Sequence, residues 1–182
     1  MTRKIAHGLA RIDVELEDCS YKVNFDLLRG WGYARDDVEM QWRMLQEESP
    51  PEDFVISTGP QESVRCFIEL TAAELGWEAI EWEGEGVNEM ARRSTGEVVR
   101  IDPCYCRPAE VVTLLGDPGK VHAKLGWTPT TTLEELLPVM VKHDKEEARM
   151  ESLLRLKGLK MAGSMENPPT NPAALDQARG AQ

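Results

Sequence analysis

Three apolar stripes at helical spacing, separated by short apolar runs, leave this chain few ways to fold. Ile5, Leu9, Ile12 and Leu16 recur every three or four residues, the period that lines one face of a helix. They predict a first amphipathic helix ending before Asp18. Val38, Trp42 and Leu45 mark a second, closed off by Pro50-Pro51, since proline cannot continue a helical ladder. Val64, Phe67, Ile68, Thr71 and Leu75 mark a third, which Ser63 can cap by accepting from an orphan backbone N–H. Between them, residues 21–23, 79–82 and 98–101 read as short strands, and Phe54-Val55-Ile56 as a buried one. Residues 24–33 read as a loop, as do 83–86, and Thr58-Gly59-Pro60 as a turn. Helices alternating with short strands define an α/β class, with strand order left open.

Further on, residues 120–124 predict a short helix stopped at Gly126. Thr132 and Glu135 have the spacing of a capping box, in which each side chain bonds the other residue's backbone N–H. The helix they open has the apolar face Leu133, Leu136, Leu137, Met140 and Val141, and Pro138 is expected to kink or interrupt it. The charged run 142–149 reads as a solvated continuation. A partial domain over 1–157 and a flexible tail over 158–182 are expected, the tail because Pro168-Pro169, Pro172 and small polar residues fill it from Met161 on.

A length of 182 residues suits one modest domain. The net charge of -11 argues against nonspecific nucleic-acid binding, which depends on neutralising phosphates; local arginines can still hold a small phosphate-bearing ligand. No window is apolar for long enough to span a bilayer. The start, Thr2-Arg3-Lys4, has no apolar signal core, so a cytoplasmic location is expected. Cys19, Cys66, Cys104 and Cys106 lack metal-site spacing, and His7, His122 and His143 are scattered. Reduced thiols and no metal are expected.

One stretch carries chemistry. Arg107-Pro108-Ala109-Glu110 follows the strand-like run 98–101 and leads into Leu114-Leu115-Gly116-Asp117 and Lys124-Leu125-Gly126-Trp127. A planar guanidinium suits phosphate oxygens, and a nearby glutamate can accept from sugar hydroxyls. The same two residues can equally be a surface ion pair worth about 0–1 kcal/mol.

The string from Arg107 to Trp127 closely resembles the C-terminal part of GDP-mannose 4,6-dehydratases, nucleotide-sugar enzymes of the extended short-chain dehydrogenase/reductase class. Other pieces match in the same order: Thr2-Arg3-Lys4-Ile5, Arg29-Gly30-Trp31-Gly32, Ala34-Arg35-Asp36, Pro51 through Gly59, and Ser63-Val64-Arg65. The likeness runs from about Thr2 to about Lys157. It implies the substrate-binding part of a Rossmann-type enzyme, with elements that cross back onto the dinucleotide-binding sheet. It also implies a dimer or tetramer, or docking on an intact dehydratase subunit. If that sheet is absent, the stripe Val38, Trp42, Leu45 loses its cover.

By this resemblance Lys4 contacts the nucleotide, Asn24 hydrogen-bonds substrate, Arg29 and Arg107 straddle the diphosphate, and Glu110 holds the ribose. Without it, Lys4 reads as a solvated lysine, Asn24 as a turn residue and Glu110 as a partner of Arg107. The family reaction dehydrates GDP-mannose to GDP-4-dehydro-6-deoxymannose with NADP as hydride carrier and a Tyr-x-x-x-Lys base. This sequence shows neither a Gly-rich dinucleotide turn nor that pair: Tyr21, Tyr33 and Tyr105 are followed four residues on by Phe25, Asp37 and Ala109. Gly30/Gly32 and Gly84/Gly86 lack a third glycine and are not expected on a strand-to-helix turn in a βαβ unit. No catalytic residue is therefore expected, and binding without acceleration follows.

Three departures surround the binding loop. The family's Arg-Asp-Trp-Gly-His is here Arg29-Gly30-Trp31-Gly32-Tyr33, a glycine is replaced by Val23, and a tyrosine by Asp37. They fit either relaxed substrate contacts or drift after loss of function. Cys104 and Cys106 also depart from the family, with no role assigned. Two other functions stay open: a non-catalytic module that binds a nucleotide sugar or assembles with dehydratase subunits, and an epimerase half that uses another nucleotide.

Overall fold

The computed structural model describes residues 2–22, 24–47, 50–103 and 111–159. The first stripe forms helix α1, Thr2–Asp13, with Ile5, Leu9 and Ile12 buried; Leu16 packs on the core just beyond its end. Strand β1, Ser20–Lys22, follows, and then a two-residue strand β2, Leu28–Arg29, within the segment expected to be loop. Helix α2 spans Ala34–Gln46, strand β3 Glu62–Ser63 and helix α3 Val64–Glu74. Ser63 caps α3 as expected, its hydroxyl accepting from Cys66 N at 3.0 Å. Strands β4, Glu81–Glu83, β5, Met90–Arg93, and β6, Gly96–Ile101, complete the sheets. Helix α4 is Gly119–Leu125, ended by Gly126 in the left-handed conformation, and α5 is Leu133–Leu156.

The main sheet has the order β1-β6-β5-β4; β1 and β6 are parallel and the rest antiparallel. A separate ribbon pairs β2 with β3, antiparallel. Helices α1, α3 and α5 bury Leu9, Phe67 and Leu137 in one cluster with Val98, Val99 and Ile101 of the sheet. The capping box of Thr132 and Glu135 is present, and the apolar face it opens is buried or half-buried as the spacing predicts.

Three expectations are corrected. Pro138 does not interrupt the helix, and α5 runs on through it from Leu133 to Leu156. The run 142–149 is not simply solvated: Asp144 and Ala148 are buried against α1, and Lys145 pairs with Asp13 at 2.9 Å. Phe54-Val55-Ile56 pairs with no strand among the described residues. Phe54 and Ile56 lean on a second, smaller cluster while Val55 points outward, 52% exposed. The expectation for Gly30 and Gly32 holds: they lie between β2 and α2, but β2 and β3 pair antiparallel, so no βαβ unit arises.

That second cluster explains α2. Met40, Val121 and Trp127 are buried together, with Met44, Phe54, Ile56 and Leu125 around them. Met40 and Met44 share one face of α2, so the stripe that predicted the helix lies elsewhere on it. Val38 is 60% exposed, Trp42 60% and Leu45 82%.

Candidate functional site

Parallel pairing of β1 with β6 brings the carboxyl ends of both strands together, the end where open α/β sheets take their ligands. The pairing continues one step past the strands, with Asp102 N donating to Lys22 O at 2.9 Å. Asn24 lies two residues beyond β1, and Asp102 follows β6 directly. The chain is caught again on β2, where Leu28 N donates to Val112 O at 2.9 Å and Leu28 bridges Thr113. Arg29 strengthens this second anchor. Its guanidinium donates to the carbonyls of Leu28 at 2.7 Å, Val111 at 3.0 Å and Val112 at 3.3 Å. Asp102 is thus held beside Lys22, and Val111 and Val112 are held on Arg29 and Leu28. Arg107 and Glu110 themselves lie outside the described residues, as do Val23, Cys104 and Cys106.

Asn24 is exposed, and its Oδ1 accepts from Asp26 N at 2.8 Å, the side-chain turn typical of asparagine. The turn reading of Asn24 is therefore realised, and it fixes the loop on which any ligand contact would depend. Lys4 is half-buried in the first turns of α1; its carbonyl accepts from Lys22 Nζ at 2.7 Å, and Lys22 also donates to Ser20 Oγ at 2.7 Å. Lys22 therefore ties the region of Lys4 to the strand leading into Asn24. Its ammonium is buried, and the local sequence Ser20-Tyr21-Lys22 carries no signal for that.

Arg65 is a second positioning residue that the motif contained without a role. Its backbone N–H bonds Phe25 O at 2.9 Å, and its guanidinium donates to Asp26 at 3.0 Å and Glu89 at 2.6 Å. The guanidinium also lies 4.3 Å from the Trp82 ring centroid. Burial acts to lower its pKa, but the two carboxylates outweigh burial and raise it. Val64 N adds a bond to Leu27 O at 3.1 Å. Ser63-Val64-Arg65 thus clamps the loop from Asn24 to Arg29.

Solved structures share this fold. RMD from Pseudomonas aeruginosa, solved with NADPH, superposes with a TM-score of 0.63 at 18% identity, covering 80% of this chain and 42% of its own. UDP-glucose 4-epimerase from Thermotoga maritima, solved with UDP-glucose, gives 0.56 at 21% identity, over 76% and 38%. The fold is α/β and matches part of these larger enzymes.

The sequence narrows that likeness. The chain belongs to the GDP-mannose 4,6 dehydratase family, whose model matches residues 1–140. It is 46% identical over 179 residues to the GDP-mannose 4,6-dehydratase of Yersinia enterocolitica, 92% of this chain and 48% of that protein. A Vibrio cholerae relative of the same name is 49% identical over 178 residues, and the human one 44% over 151. The chain spans about half the length of the curated relatives it matches.

Neither pair of nearby glycines forms a dinucleotide-binding turn. Neither Gly30 nor Gly32 adopts a positive φ, and a Cβ at Gly32 would meet Thr58 Cγ2 at 3.2 Å. Gly84 and Gly86 lie on the turn between antiparallel β4 and β5. Neither pair opens a helix after a strand of a parallel crossover, where a pyrophosphate would be held. No helix among the described residues is long and apolar enough to cross a membrane.

Proposed function

We propose that this chain binds GDP-mannose as the substrate-binding part of a GDP-mannose 4,6-dehydratase. Arg29 and Arg107 grip the diphosphate, Glu110 accepts from the ribose hydroxyls, and Lys4 and Asn24 contact the remaining polar edges. What supports this reading is the bonding of Arg29 to the carbonyls of Val111 and Val112, residues that follow Arg107 and Glu110 closely in sequence. Dehydration needs a nicotinamide dinucleotide, NADP in this reading, and a base that the described residues do not supply. Binding without turnover is expected of the chain alone.

Calorimetric titration of GDP-mannose, GDP and UDP tests this. GDP and GDP-mannose should bind and UDP more weakly. Arg29→Ala should weaken GDP roughly tenfold or more, since a charge-assisted bond is worth about 1.5–3 kcal/mol. A preference for UDP would remove the guanosine assignment in favour of an epimerase-like site, and formation of a 4-keto sugar on adding NADP would place the chemistry within this chain.

A second reading is favoured by the uncovered stripe of α2. In that reading the chain is an assembly module that pairs with itself or with dehydratase subunits.

A further inference from the structure

We propose that the crossing of α1 and α5 holds a divalent transition-metal ion, ligated by His7, Asp144 and Glu147. The helices bring together residues that the sequence leaves 137 and more positions apart. One donor atom from each of the three lies within 4.8 Å of the others. Asp144 and Glu147 are three residues apart and so share one face of α5, the face packed on α1. None of the three belongs to the candidate substrate site.

Two observations point to a ligand and not to a finished ion pair. His7 Nδ1 is buried and has no hydrogen-bond partner. Asp144, its side chain only 4% exposed, meets His7 Nδ1 at 3.6 Å. That separation is too long for an N–H···O bond, which falls at about 2.7–3.2 Å. It matches the spacing of two ligands on one tetrahedral ion, about 3.3–3.6 Å for bonds of about 2.0–2.2 Å. A cation between the two groups would satisfy both. One neutral imidazole with two carboxylates balances a divalent charge, and this mixed nitrogen and oxygen set suits zinc, cobalt or manganese better than calcium.

The surroundings set the remaining terms. His143 Nε2 lies 3.6 Å from Glu147 Oε1 but outside the three-residue group, so water would complete the coordination. Arg3 opposes binding, its guanidinium 3.5 Å from Glu147 Oε2. Its side chain is 76% exposed, so that contact is screened and easily given up.

Titrating cobalt(II) into the metal-free full chain, with visible absorption as the readout, tests the site directly. A saturable one-to-one signal that zinc displaces is expected, together with a higher thermal midpoint in zinc. His7→Gln and Asp144→Asn should abolish the signal, His122→Gln should leave it, and Arg3→Ala should tighten binding several-fold. No saturable signal in the unaltered chain overturns the assignment. So does full retention of the signal in a His7→Gln chain whose circular dichroism shows it folded.

Discussion

Asp36 stands in the first turn of α2, where the helix dipole favours a carboxylate. It is buried, and it accepts from Thr131 N at 2.9 Å, Thr130 N at 3.1 Å and the Thr130 hydroxyl at 2.9 Å. Burial acts to raise its pKa, but these donors outweigh burial and hold the carboxyl below its ordinary 3.8. A depressed folded pKa means the ionised form is bound more tightly in the fold than in the unfolded chain. The resulting stability is complete above about pH 4 and is lost as pH falls through the folded value. Asp36→Asn should therefore cost about 1–3 kcal/mol at neutral pH, and less at about pH 3. Urea unfolding at the two pH values checks this, and equal losses at both would refute it. The sequence offered Asp36 only as the last letter of a matching motif, because its partners lie more than ninety residues away. The same limit applies at the candidate site. Asn24 and Arg29 were legible as polar residues in a loop, but the carbonyls that hold Arg29 come from across the chain. The buried ammonium of Lys22 was not legible, since nothing local distinguishes it from an exposed strand lysine.

Helices were read well where their evidence is local. The capping box, the stop at Gly126 and the stripe of α1 all depend on residues a few positions apart. Strands were read less well. β5, Met-Ala-Arg-Arg, has almost no apolar signal and exists because β4 and β6 flank it. Residues 54–56 have the signal and no partner strand among those described. Packing also reverses one local preference. Replacing a helix-interior glycine by alanine ordinarily stabilises by about 0.5–1 kcal/mol. At Gly8 of α1, however, a Cβ would stand 2.5 Å from Ser20 Oγ and 3.3 Å from Ser20 Cβ, so α1 sits directly on β1 there. Gly8→Ala should instead destabilise by about 1–3 kcal/mol through overpacking. The double variant with Ser20→Ala should recover part of that loss, a coupling that a denaturant-based mutant cycle resolves. A stabilised Gly8→Ala chain would show that the helix can lift away from the strand at little cost.

Two clusters of unequal size organise the whole molecule. The larger is closed on several sides by α1, α3, α5 and the main sheet; the smaller, around Met40 and Trp127, has α2 as one wall. The outer face of that wall carries Val38, Trp42 and Leu45, and Leu114 and Leu115 are also exposed. Burying one such side chain is worth about 1.5–3 kcal/mol, and soluble chains seldom leave an apolar helix face uncovered without a partner. The net charge of -11 opposes close approach of two copies, a repulsion that salt screens beyond about 8 Å at physiological ionic strength. Self-association should therefore rise with both protein concentration and salt. Light scattering over a concentration series at low and high salt measures it. Trp42→Glu should shift the chain towards monomer while leaving its thermal midpoint nearly unchanged, because Trp42 lies outside both clusters. A monodisperse monomer at every concentration and salt would show that this face needs no cover, and with it the assembly reading would fall.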